Sequence, residues 1–213
     1  MNVTLVNGSP HAHGCTDRAL REVAGALEEQ GVGTEIFWIG SKPVGGCMGC
    51  NACAKGAGCV VDDAVDRFLP LVKRSDGFVF GAPVHFSHAG ASLLGFMDRA
   101  FYSELRLSGQ DGSQFAHKPA AAVVSARRAG TTCSFDDINK FFTIRQMPIV
   151  GAQYWNMVHG NTPEEVERDE EGLGTMRTLG RNMAWMLRCI EAGRAAGITP
   201  PEREAFPTTN FIR

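Results

Sequence analysis

A surplus of charge is missing. Lys and Arg number 21 against 23 Asp and Glu, a formal charge of −2 over 213 residues, which supplies no basic field for a nucleic-acid backbone or an anionic membrane surface. Long apolar runs are missing too, and no uninterrupted stretch would span a bilayer. The opening MNVTLVNGSP has neither the charged-then-apolar order of a signal peptide nor the makeup of a transit peptide. These absences set the expectation of a cytoplasmic, reducing location with neither nucleic acid nor membrane as partner. There, cysteines serve as metal or redox groups before they serve as disulfides. Three motifs are also absent: G-x-G-x-x-G, the G-K-[ST] of a nucleotide P-loop, and a helical H-x-x-x-H pair with an acidic partner. His11, His13, His85, His88 and His159 therefore make a weak case for metal. No internal repeat or low-complexity segment breaks the chain.

What is present in excess is cysteine in one place and glycine throughout. Four of the seven cysteines, Cys47, Cys50, Cys53 and Cys59, fall within Val44–Asp63 at C-x2-C-x2-C-x5-C spacing. Thiols this crowded on a short loop invite oxidation unless something ligates them. Three readings stand side by side. A [4Fe-4S] cluster would take the first three thiolates on one face and Cys59 as the fourth ligand. Zinc prefers two pairs separated by a longer loop. Free or disulfide-prone thiols are the third reading. The 25 glycines suggest several tight loops near a bound ligand.

Strand-like and helix-like patterns alternate along the chain. Val3–Asn7 is a short β-rich run, followed by a helical stripe of Ala19, Leu20, Val23, Ala24 and Leu27. Gly33–Ile39 reads as a second strand. Asp62 and Asp63 cap a helix carrying Val65, Phe68, Leu69 and Val72, which Pro70 should bend or break. Phe78–Phe80 is a buried strand, and Leu93, Leu94, Met97, Ala100 and Phe101 form the next stripe. Ala120–Val124 is a fourth strand. Ser134 with Asp137 reads as a helix start, carrying Ile138, Phe141 and Phe142, and Met147–Val150 is a fifth strand. Thr162–Glu165 is a capping box with Pro163 in the first turn, leading to a long stripe from Leu173 through Met176, Leu179, Met183 and Leu187 to Ile190. Residues 1–197 read as one α/β domain with the cysteine loop at 44–63 as an insertion, and 198–213 as an extended tail. Parallel sheets covered on both faces bind ligands beyond the carboxyl ends of their strands. Function should therefore sit on Gly8–Thr16, Gly81–Gly90 and Ser125–Thr132.

The first of these loops offers hydroxyls at Ser9 and Thr16 and the N–H groups of a helix N-terminus, which suit a phosphate monoester. A plain strand–helix turn with a Thr cap is the bland alternative. The segments LVNGSPHAHGCTDRAL, GAPVHFSHAGASLLGFMDRAF and VVSARRAGTT together resemble the flavin-contacting segments of the NADPH-dependent FMN reductase family. The cysteine loop resembles that of the family's iron–sulfur flavoproteins. The resemblance implies a flavodoxin-like fold, a five-stranded parallel sheet of order 2-1-3-4-5, FMN as cofactor, and a homodimer or homotetramer in which one subunit completes another's site. By this resemblance Ser9, Pro10, Gly14, Cys15 and Thr16 wrap the FMN phosphate. Pro83, Val84, His85 and Phe86 lie along the isoalloxazine ring, and Ser125, Arg127, Arg128 and Gly130 stand near its pyrimidine end. A cation there favours the anionic reduced flavin. One of Arg127 and Arg128 can fill that role and the other can fork onto an NADPH phosphate, unless both are simply solvated.

The remaining candidates have milder readings. Tyr154–Trp155 lines the flavin pocket, meets a subunit, or packs. Asp98–Arg99 reads as a local ion pair, and Cys133 and Cys189 as small core residues. Cys15 at a helix N-terminus has a setting that lowers a thiol pKa, although packing against FMN accounts for it more simply. The expected activity is electron transfer from NAD(P)H through FMN to a flavin, quinone-like or other small acceptor. The rival is an iron–sulfur flavoprotein fed by a ferredoxin-like donor. From another class comes a non-catalytic, zinc-stapled binding module.

Overall fold

The computed structural model describes residues 1–56, 58–109 and 112–204. Five strands run parallel: β1 (Asn2–Asn7), β2 (Gly33–Trp38), β3 (Gly77–His85), β5 (Ala120–Ala126) and β6 (Met157–His159). They lie in the order β2-β1-β3-β5-β6, with β4 (His88–Ala89) folded back antiparallel on the end of β3. Setting that short ribbon aside, the order is the expected one. β1 and β5 are almost wholly buried, because helices cover both faces. On one face lie α2 (Ala64–Arg74), α3 (Ala91–Ser108) and α4 (Thr131–Ile144); on the other lie α1 (Cys15–Glu28), the single turn α5 (Pro163–Val166) and α6 (Glu170–Ala195). The helical stripes read from the sequence point inward: Leu20, Val23, Leu27, Phe68, Leu93, Met97, Met176 and Leu179 are all buried.

Three local expectations need correction. The last strand is Met157–His159, not Met147–Val150, where Ile149 makes only an isolated parallel bridge to Ala120. Pro70 does not end α2. It sits on the exposed side of that helix, where water can replace the lost bond to the Asp66 carbonyl. Helix α4 starts at Thr131 behind Gly130, and Ser134, already one turn inside, donates its hydroxyl to the Gly130 carbonyl at 2.9 Å. The Thr162 cap is as expected, its hydroxyl accepting from the Glu165 N–H. No helix among the described residues is long and apolar enough to cross a membrane. Residues 198–204 run exposed without regular structure, and the rest of the expected tail, 205–213, lies outside the described residues.

Candidate functional site

The three loops after β1, β3 and β5 meet at one edge of the sheet. The first is folded by its own side chains. Ser9 N–H donates to Asn7 Oδ1 at 3.0 Å, and His11 N–H donates to Ser9 Oγ at 3.1 Å. Asn7 Nδ2 donates to the Ala12 carbonyl, and Trp38, at the end of β2, donates its indole N–H to the Ser9 carbonyl at 2.8 Å. Ser9 Oγ is an acceptor in this arrangement, so its hydrogen remains available to an anion. Gly14 caps α1 without a side-chain acceptor, leaving the first-turn N–H groups to the loop. The first-turn carboxylate Asp17 is buried and held by Arg21 Nε at 2.7 Å, so its charge is offset where an anion would dock. Pro10 is exposed at the tip.

Thr16 and Ser125 meet beneath the loops. Both are buried, and their hydroxyls share one hydrogen bond at 2.8 Å. They tie the first loop to the third. Cys15 is half-buried and donates to the Gly160 carbonyl at 3.6 Å. Burial pushes its thiol up, against the pull of its own backbone hydrogen bond, so the helix end does not activate it.

Pro83 and Val84 are half-buried, while His85 and Phe86 are exposed. Phe86 and Ser87 form the two-residue turn between β3 and β4 with φ of 50° and 64°, the primed hairpin geometry that non-glycine residues adopt only under constraint. Gly130 supplies that constraint. Its φ is +92°, and a Cβ there would lie 2.6 Å from Ser87 Cα and 2.9 Å from Val84 Cγ1. The second and third loops thus touch at a point where only hydrogen fits. Arg127 and Arg128 are exposed, with no ion pair among the described residues.

A cavity of about 330 Å³ lies beside the third loop rather than among all three. Thr131, Tyr154, Trp155, His159, Asp169 and Glu171 line it. The Tyr154 and Trp155 rings meet edge-on at 4.8 Å, which gives that pair a cavity wall rather than a core. The two carboxylates make it a poor seat for dinucleotide phosphates.

The cysteine loop is held by one face of α3, and the sequence reading missed this. Gly95, Arg99, Tyr102 and Arg106 recur at helical spacing opposite the apolar stripe. A Cβ on Gly95 would lie 2.6 Å from the Val44 carbonyl oxygen. Tyr102 donates to Asn51 Oδ1 at 2.6 Å, and Arg106 adds a longer contact to the same atom. Arg99, 3 % exposed, pairs with Asp63 at 2.6 Å and with the sulfur of Cys59. It does not pair with Asp98. Burial opposes ionisation of Asp63, but Arg99 and the Val65 N–H outweigh it and hold the carboxyl below its usual range. Cys47, Cys50, Cys53 and Cys59 all line one cavity against α3, although no three His, Cys, Asp or Glu side chains among the described residues close on a single point as ligands of one ion. Cys133 and Cys189 are exposed on the outer faces of α4 and α6, not core residues.

Gly95→Ala tests this seating. Alanine adds about 1 kcal/mol of helix propensity, but a backbone carbonyl cannot turn aside as a side chain can, and overpacking costs about 1–3 kcal/mol. The expected result is unchanged or slightly lower global stability with faster proteolytic cleavage within 44–63, read by mass spectrometry of the fragments.

Parallel sheet, helix layers and ligand-facing loops define a flavodoxin-like α/β fold. A solved flavodoxin from the domain Archaea superposes with a TM-score of 0.57 at 14 % identity, over 88 % of this chain and 99 % of that one. The structure of RosB with bound 8-demethyl-8-formylriboflavin-5′-phosphate superposes at 0.71 and 13 % identity, over 100 % and 92 %. The chain belongs to the NADPH-dependent FMN reductase family, whose model matches residues 1–162, and is an FMN-binding oxidoreductase. It is also 34 % identical over 198 residues to an iron-sulfur flavoprotein of Methanocaldococcus jannaschii, covering 90 % of this chain and all of that one.

Proposed function

We propose that the chain is an iron–sulfur flavoprotein, with FMN in the three-loop cradle and a [4Fe-4S] cluster on the cysteine loop. The carrying observation is that the four thiols, spread over 13 residues of sequence, line one cavity beside a buried cation. The donor set fits the cluster: thiolates are the ligands such clusters take, and the Gly49 N–H, 3.5 Å from Cys47 Sγ, and the Arg99 guanidinium supply hydrogen bonds to sulfur. FMN, when bound, supplies hydride and single-electron transfer, and the cluster supplies single-electron transfer. The chain's own residues do the positioning.

Ser9 and the first turn of α1 receive the FMN phosphate. Pro83 to Phe86 form a rigid ledge for the ring, pinned by Gly130. Arg127 and Arg128 place positive charge at the third loop, where it favours an anionic reduced flavin. Phe86, 99 % exposed on its constrained turn, presents an aromatic face to the ring or to a second subunit of a homodimer or homotetramer.

The second reading, direct reduction by NAD(P)H with a small-molecule acceptor, is favoured by the same two arginines, because a free fork suits a nucleotide phosphate. Membership among oxidoreductases leaves the zinc-stapled binding module without support.

Oxygen-free purification tests the proposal. Flavin absorbance with about four irons and matching acid-labile sulfide per chain is expected. Flavin without iron or sulfide would overturn the cluster reading and leave the reductase. Rapid bleaching by NADPH selects the nicotinamide donor, and bleaching only by a reduced ferredoxin selects the carrier.

A further inference from the structure

Arg99 is the residue whose burial the flavin site does not explain. Other partly buried cations end on carboxylates, as Arg18 does on Glu22, or on main-chain carbonyls: Lys118 Nζ donates to Val72 O, and Arg145 Nη2 donates to Phe101 O. The Lys118 contact closes the end of α2, and the Arg145 contact ties the end of α4 to the middle of α3. Arg99 instead reaches across about forty residues of sequence to a cysteine. Its Nε and Nη2 both lie 3.3 Å from Cys59 Sγ. Nη1 and Nη2 grip the two Asp63 oxygens at 2.6 and 3.0 Å, and Nη2 also reaches the Val61 carbonyl at 3.0 Å. Of the four cysteines, Cys59 is the one that this fork touches.

We infer that Arg99 is a positioning residue that orients Cys59 as the fourth ligand and raises the reduction potential of the cluster it completes. The inference rests on the cluster reading given above and deepens it.

The physical chain is short. Reduction of a cluster adds one negative charge, so a nearby cation favours the reduced form, as do N–H groups aimed at ligand sulfur. With Arg99 only 3 % exposed, little water is present to screen its charge. The fork is directional: one edge faces sulfur and the other faces Asp63. Asp63 therefore fixes the guanidinium plane and partly offsets its charge, while the donors remain on Cys59. Lysine cannot reproduce both edges at once. Arg99 sits on a continuous helix, not on the loop, so the sulfur is held to the rigid part of the fold.

A purely structural role would also bury an arginine here, since Asp63 caps α2 through the Val65 N–H at 3.0 Å. The sign of two shifts separates the alternatives. Removing the cation in Arg99→Gln should lower the cluster potential. Removing the anion in Asp63→Asn should leave it unchanged or raise it. Loosening of the loop, by contrast, would move both variants the same way.

The experiment is an anaerobic redox titration followed by electron paramagnetic resonance on wild type, Arg99→Gln, Arg99→Lys and Asp63→Asn, each with measured iron, sulfide and FMN. FMN content reports that each variant is folded. The expected result is a negative shift for Arg99→Gln, a smaller negative shift for Arg99→Lys, and none in that direction for Asp63→Asn. An unchanged potential in Arg99→Gln, or parallel shifts in Arg99→Gln and Asp63→Asn, overturns the inference while the cluster reading stands. If Arg99→Gln does not fold, Arg99→Lys decides, and a wild-type potential in that variant overturns it. A wild-type chain without iron and sulfide overturns the cluster reading and this inference together.

Discussion

Phe68→Ala is expected to cost about 3–5 kcal/mol of folding stability, the range for removing a fully buried aromatic ring. Phe68 has no solvent exposure. Five rings surround it: Phe96 at 5.1 Å, Phe37 at 5.5 Å, Phe78 and Phe80 at 6.1 Å, and Phe115 at 6.4 Å between centroids. Three of these contacts are edge-on, the geometry in which a pair adds about 0.5–1.5 kcal/mol beyond area burial. The ring joins α2 to β2, β3 and α3, the elements that bound and support the cysteine loop. Phe68→Leu keeps most of the volume and should cost less, about 1.5 kcal/mol or under where the site repacks. Urea unfolding of the FMN-free chain is the measurement, because bound FMN would add its own binding energy to the folded state. Equal midpoints for Phe68→Ala and wild type would show that the surrounding rings collapse into the gap.

That core was legible because its signals were local and repeated. Phe78 and Phe80 fall in an apolar run, Phe68 on a helical stripe, and the periods of two and 3.6 told the elements apart. The errors share a different cause: each depended on a partner distant in sequence or on backbone conformation. Met147–Val150 looks like a strand because it is apolar, yet it makes a single bridge, in which Pro148 accepts from Ala120 and Val150 donates to it, and the pairing passes to Met157–His159. Ser134 looks like a cap because of its chemistry, but the turn it would cap is already closed behind Gly130, whose left-handed φ no side-chain pattern announces. Adjacency in sequence suggests Asp98 as the partner of Arg99. Residues i and i+1 on a helix point about 100° apart and do not face each other, so the guanidinium found Asp63 and Cys59 instead. The stripe Gly95, Arg99, Tyr102, Arg106 was a signal that could have found the loop's seat, since a glycine in mid-helix followed by polar residues on its own face marks a close approach.

The flavin loops show the same division at finer scale. Their location followed from strand order alone, since ligands gather beyond the carboxyl ends of parallel strands. The partner of each hydroxyl did not follow. Ser9 and Thr16 look alike in the sequence, yet Ser9 accepts from the His11 N–H within its own loop and Thr16 shares a buried hydrogen bond with Ser125. Trp38 escaped notice because it closes a strand, and its bond to the Ser9 carbonyl crosses from β2 to the first loop.

Gly130→Ala should weaken FMN binding by about 10- to 100-fold, since each 1.4 kcal/mol is a factor of ten. Two costs combine. A non-glycine residue in the left-handed region costs about 1–2 kcal/mol, and Gly130 has φ of +92°. The added Cβ would also stand 2.6 Å from Ser87 Cα, a main-chain atom that cannot rotate away. Relief requires the β3–β4 turn to part from the third loop. That turn already holds Phe86 and Ser87 at positive φ, so it is poised to leave its constrained geometry once the Gly130 contact is broken. The ledge from Pro83 to Phe86 and the arginines at 127 and 128 would then no longer share one fixed spacing, and the affinity lost is that of a cradle which must be reassembled around its ligand. Gly25→Ala is the control. It lies within α1 with nothing within 4 Å of its new Cβ, and should raise stability by about 0.5–1 kcal/mol while leaving FMN affinity as it is. Titration of the FMN-free chains, followed by quenching of flavin fluorescence, reads both. Wild-type affinity in Gly130→Ala would mean that FMN does not depend on the contact between the second and third loops, and would move the cofactor elsewhere on this edge of the sheet.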